Sequence, residues 1–76
     1  MIDELETVIL TRDIPESGLR AGDVGAVVHR YAGGTGYEVE FVTGEGRTVA
    51  VLTLSEGDLR RMSSGEILHI RRLVPR

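Results

Sequence analysis

The alternation of apolar and polar positions is clearest over residues 37–42 (YEVEFV), where Tyr37, Val39 and Phe41 fall on one face and Glu38 and Glu40 on the other. A period of two is the side-chain period of an extended strand, so this segment predicts a strand with one face in the core and one in water. Three further runs have the composition of strands. Residues 7–12 (TVILTR) are rich in β-branched side chains, and residues 24–31 (VGAVVHRY) form a second apolar run. Residues 47–54 (RTVAVLTL) carry apolar side chains on both faces, which predicts a strand near the middle of a closed sheet.

The segments between these runs are rich in turn residues. DIPESG at 13–18 combines a proline that fixes φ with a glycine that permits positive φ, AGGTG at 32–36 is a glycine loop, and TGEG at 43–46 is a hairpin signal. Gly18, Gly22, Asp23, Gly25, Gly33, Gly34 and Gly36 are read as structural turn positions, with Gly25 inside a strand marking a bulge or a close backbone approach. SEGDL at 55–59 predicts a single 3₁₀ turn capped by Ser55. Beyond it, Ser63, Ser64 and Gly65 form a connecting turn, and Ile67, Leu68 and Ile70 predict an additional strand within residues 63–72 that packs on an edge or pairs with a second copy of the chain. Short strands at this spacing, with glycine at the corners and almost no helical periodicity, describe an all-β fold: a small SH3-like antiparallel barrel of five or six strands with one short 3₁₀ turn. Residues 1–72 make one such domain, and Leu73 to Arg76 (LVPR) match what cleavage leaves of a thrombin site.

Composition narrows the chemistry. A chain of 76 residues buries little core and gains from pairing, so a homo-oligomer is expected through residues 63–72. There is no cysteine, hence no disulfide framework, no thiolate nucleophile and no zinc–thiolate site. The first residues are acidic, with no basic and apolar leader, and no apolar run approaches a membrane span, which predicts a cytoplasmic protein. All nine basic residues are arginine. Residues 1–54 hold four arginines against nine acids, a balance of −5, whereas residues 55–76 hold five against three, a balance of +2. An acidic body with a mildly basic tail lacks the strongly basic face of a general nucleic-acid binder.

No catalytic, metal or cofactor set emerges. Glu38 and Glu40 stand about 7 Å apart on one strand face, a spacing that any alternating strand produces, and nothing signals a cleft that would raise one pKa and leave the other low. His29 and His69 come from distant segments with no third ligand, and GGTG lacks the Lys-Ser/Thr ending and following helix of a phosphate loop. Asp23 is read as a corner residue that accepts from local backbone amides. The residues nominated for partner contact are Arg30, Tyr31, Glu38, Glu40, Arg60, Arg61, Arg71 and Arg72: an acidic strand face, one aromatic beside a glycine loop, and a set of arginines able to act as interface anchors.

The block D.PE.GL..GD.G.VV (Asp13, Pro15, Glu16, Gly18, Leu19, Gly22, Asp23, Gly25, Val27, Val28) together with YEVEF (Tyr37 to Phe41) resembles a family of small bacterial proteins catalogued as a domain of unknown function, over Ile2 to about Leu73. That resemblance implies an SH3-like barrel, no assigned activity, and an antitoxin-like or immunity-like role as a binder of one protein. More distantly, GDVGAVVHRYAGGTGYEVEF is similar to the KOW pattern of ribosomal and transcription-factor barrels, without the surrounding basic residues. The KOW alternative is an RNA- or ribosome-binding module using Arg30, Arg60, Arg61, Arg71 and Arg72.

Overall fold

The YEVEFV alternation becomes strand β3 (Tyr37–Val42) in the computed structural model, which describes residues 2–73. Tyr37, Val39 and Phe41 are buried and Val42 is exposed, while Glu38 and Glu40 lie half-buried on the other face. Around it run β1 (Thr7–Leu10), β2 (Val24–Arg30), β4 (Thr48–Leu54) and β5 (Leu59–Arg61). All pair antiparallel in one sheet, in the order β4-β3-β2-β1-β5. A single core takes Val8 and Leu10 from β1, Val27 from β2, all three inward residues of β3, Leu54 from β4 and Leu59 from β5. For both outermost strands to reach the same core, the sheet has to curl. Ile2, Ile14 and Leu19 close the cluster from outside the strands.

Two bulges decide what faces outward. Val27 pairs with Val39 but His29 with Glu38, so Val28 is an extra residue on β2; Phe41 pairs with Ala50 but Val42 with Thr48, so Val49 is extra on β4. In an unbroken strand His29 would follow Val27 to the inner face two residues on, and the added residue turns it out instead. Gly25 is the close approach: a Cβ there would stand 2.8 Å from both Phe41 Cε1 and Val39 Cγ1.

Helix is confined to single turns. Pro15–Ser17 and Glu56–Asp58 are 3₁₀ turns, and Ala32–Gly34 is an irregular turn in which Gly33 takes φ 76°. The second of these is the turn expected after β4, where the Ser55 amide and hydroxyl both donate to the Asp58 carboxylate, at 3.2 and 3.0 Å. The first was expected as loop; Pro15 supplies helical φ at its first position and Gly18 ends it at φ 73°.

Two expectations are corrected. The strand β4 lies at the end of the sheet, not its middle: among the described residues it pairs with β3 alone, and its two-sided apolar pattern arises because Val49, Ala50 and Leu52 pack against the core while Val51 points outward. The additional strand over residues 63–72 is absent. The strand that follows the 3₁₀ turn is instead Leu59–Arg61 beside β1, and residues 62–73 run on without helix or strand, with Ile67 92% and Ile70 90% exposed. Val74 to Arg76, and so most of the supposed thrombin-site remnant, lie outside the described residues.

Candidate interaction surface

The outward face of β2, β3 and β4 is assembled by register. Ala26, Glu40 and Val51 stand opposite one another across the three strands, as do His29, Glu38 and Thr53. Residues directly opposite share a face, so these rows form one surface. Val42 and Val51 lie on it, about half exposed at 52% and 47%, and Tyr31 borders it at the end of β2.

Both carboxylates are held in place. Glu38 Oε1 accepts from the Thr53 hydroxyl at 2.7 Å and from the Tyr31 hydroxyl at 3.0 Å, and Glu40 Oε2 accepts from the Thr48 hydroxyl at 2.7 Å. The two bonds to Glu38 favour its ionised form, so the Thr53 hydroxyl first and the Tyr31 hydroxyl second hold the Glu38 pKa below its ordinary value. The same bond pushes the Tyr31 phenol up, because its proton is retained by the carboxylate. Tyr31 also meets the His29 ring edge-to-face, with centroids 4.8 Å apart and planes at 87°. His29 Nδ1 lies 3.3 Å from Glu4 Oε2.

The nominated arginines are dispersed. Arg30 Nη1 donates to Asp3 Oδ1 at 3.1 Å, Arg60 makes paired bonds to Glu66 at 2.7 and 2.6 Å, and Arg61 pairs with Glu6. Arg71 makes paired bonds to Asp23 at 2.7 and 2.5 Å and a third to the Gly18 carbonyl at 2.9 Å. Arg72 is exposed. Four arginines thus meet four different carboxylates, while neither Glu38 nor Glu40 enters a salt bridge among the described residues. The Arg60 bonds and the Ser63 amide pull the Glu66 pKa down to about 2.

Asp23 does more than turn a corner. Its Oδ2 accepts from the Arg20 amide at 2.8 Å, the local bond expected of it, and the same carboxylate holds Arg71 from 48 positions away. Burial opposes ionisation of Asp23, but the Arg71 and Arg20 hydrogen bonds and both cations outweigh it and hold the pKa below its ordinary value. Sequence reasoning named Glu38, Glu40 and Tyr31 but missed Val42, Val51, Thr48 and Thr53 as their neighbours. Part of the signal was present: TGEG closes a tight turn, with the Thr43 amide donating to the Arg47 carbonyl at 2.9 Å, which sets Thr48 opposite Val42; the bulge at Val49 then shifts the register by one residue and brings Val51 and Thr53, rather than Ala50 and Leu52, opposite Glu40 and Glu38.

Among the described residues no three histidines or acids come together as a metal-binding group. Among the described residues, no helix is long and apolar enough to cross a membrane. A family model described as a domain of unknown function (DUF4926) matches residues 4–61, stopping at the last residue of β5 and leaving the tail outside the match. No curated protein and no solved structure shows significant similarity to the chain.

Proposed function

The chain belongs to the DUF4926 family, and on that footing we propose that it is a non-catalytic protein-binding module whose outer β2–β3–β4 face receives one basic partner protein. The observation that carries this reading is the unequal treatment of charge. The arginines Arg30, Arg60, Arg61 and Arg71 are engaged by carboxylates, whereas Glu38 and Glu40 are anchored by hydroxyls and enter no salt bridge among the described residues. Anchored carboxylates beside exposed Val42, Val51 and Tyr31 combine electrostatic selectivity with apolar area and an aromatic contact. A depressed Glu38 pKa is the opposite of what a general acid requires, which weighs against an acid–base pair on this face.

The strand order, with β5 added beside β1 after a 3₁₀ turn, supports assigning the curled sheet to the SH3-like barrels. Within that assignment we place the protein as a small cytoplasmic bacterial accessory protein of antitoxin-like or immunity-like type. The KOW-like alternative asks Arg30, Arg60, Arg61, Arg71 and Arg72 for phosphate contacts, and the carboxylates already bound to four of them favour the protein-binding reading.

Affinity capture from the host lysate, with and without nuclease and read by mass spectrometry, tests the choice. The expected result is one basic protein retained after nuclease. Recovery of RNA and ribosomal proteins that nuclease removes would overturn the proposal in favour of the KOW-like module.

A further inference from the structure

At Arg71 and Leu73 the otherwise mostly exposed tail meets a trough that the domain itself builds. One cleft of about 380 Å³ is lined by Leu19, Val24, Phe41 and Val49 from the domain and by Arg71 and Leu73 from the tail. A second, of about 190 Å³, is lined by Asp13, Pro15, Gly18 and Leu19, and again by Arg71. Leu19 and Arg71 border both. The Arg71 guanidinium makes three bonds: Nε donates to Asp23 Oδ1, and Nη2 donates to both Asp23 Oδ2 and the Gly18 carbonyl. The Asp23 side chain is 16% exposed and that of Arg71 26%, which makes this the most enclosed of the described ion pairs.

We propose that Asp23 and the Gly18 carbonyl form a guanidinium receptor for an extended, arginine-bearing segment of a partner protein, and that Arg71 occupies it in cis. The cleft borders the outer face of β3 at Val42, but the receptor groups Asp23 and Gly18 are not part of that face, and the proposal does not depend on its reading. Three features specify the occupant. A carboxylate fork with an adjacent carbonyl matches the planar donors of arginine and not the point charge of lysine. The apolar wall of Leu19, Val24, Phe41 and Val49 suits a flanking apolar side chain, the place Leu73 takes in the tail. The occupant is extended and irregular, because the tail reaches the site without helix or strand. The family match ends at Arg61, so the receptor residues Gly18 and Asp23 fall inside it and the arginine that fills the receptor falls outside. A tail that supplies its own arginine acts as an intramolecular competitor and lowers the apparent affinity by the fraction of time the receptor is open.

The test uses the full chain and a fluorescent peptide with the sequence of residues 66–73 (EILHIRRL), read by anisotropy. Arg71→Ala is expected to bind this peptide about tenfold or more tightly than the wild type. Adding Asp23→Asn to that variant, or replacing the arginine equivalent to Arg71 in the peptide by alanine, should abolish the gain. Circular dichroism shows whether each variant is folded. A readout that needs no variant is the Arg71 Nε–H resonance of the isotope-labelled wild type, which excess peptide should shift to its solvent-exposed position. Equal binding by wild type and folded Arg71→Ala, or an Arg71 resonance unmoved by saturating peptide, would overturn the proposal. So would a wild-type dimer that Asp23→Asn dissolves, because the occupant would then be the tail of a second copy.

Discussion

Asp23 and Arg71, 48 positions apart, are joined by two charge-assisted hydrogen bonds of 2.7 and 2.5 Å, which tie the far part of the tail to the residue just before β2. Asp23→Asn keeps an oxygen for the Arg20 amide but removes the charge and turns a donor toward the guanidinium. The expected cost is about 1 to 2 kcal/mol in chemical denaturation, together with faster tryptic cleavage after Arg71. Cleavage at the wild-type rate would mean that the pair does not restrain the tail.

Gly25 predicts a sharp contrast between glycines. In Gly25→Ala the new methyl meets Phe41 and Val39 at 2.8 Å and the Glu40 carbonyl at 3.0 Å, so β2 and β3 must separate. The expected destabilisation is about 1 to 3 kcal/mol, seen as a lowered denaturant midpoint. At Gly44 a Cβ meets nothing within 4 Å, and Gly44→Ala should stay within about 0.5 kcal/mol of the wild type.

Tyr37 is fully buried, and its hydroxyl has no hydrogen-bond partner among the described residues. Tyr37→Phe removes a desolvated polar atom while leaving the ring in place. Stability should be unchanged or raised by up to about 1 kcal/mol, measured by thermal melting.

The strand β3 was legible because its two-residue period is local, and Gly25 because a glycine inside an apolar run marks a point where a neighbouring strand leaves no room for a side chain. Two features were not. A pattern with apolar residues on both faces does not separate a central strand from an end strand whose outer side chain is simply exposed, as Val51 is. The Asp23–Arg71 pair leaves no periodic trace, since an ion pair between distant positions imposes no spacing on the sequence between them. The apolar tail residues Ile67 and Ile70 read as strand for the converse reason: composition favours strand, but these side chains are exposed and meet no core that would hold them in one.

Acid should destabilise the fold. The pKa values of Asp23, Asp58 and Glu66 are all lower folded than unfolded, so the unfolded chain takes up protons first as pH falls. Their contribution is complete above the unfolded carboxyl value of about 4. It is lost as pH falls through the folded values, reaching about 2 for Glu66. The melting temperature should therefore decline across that window. High salt should weaken the part due to the more exposed Arg12–Asp58 and Arg60–Glu66 pairs more than the part due to Asp23 and Arg71. A melting temperature that rose on acidification would contradict these assignments.

The outer β2–β3–β4 face is tested most directly by the affinity of the captured partner for the wild type and for the double variant Glu38→Lys/Glu40→Lys, measured by calorimetry at low and high salt with thermal melts to confirm folding. The account predicts at least about a tenfold loss in the variant, and a wild-type affinity that weakens with salt. Equal affinity of the two folded proteins at low salt would contradict it.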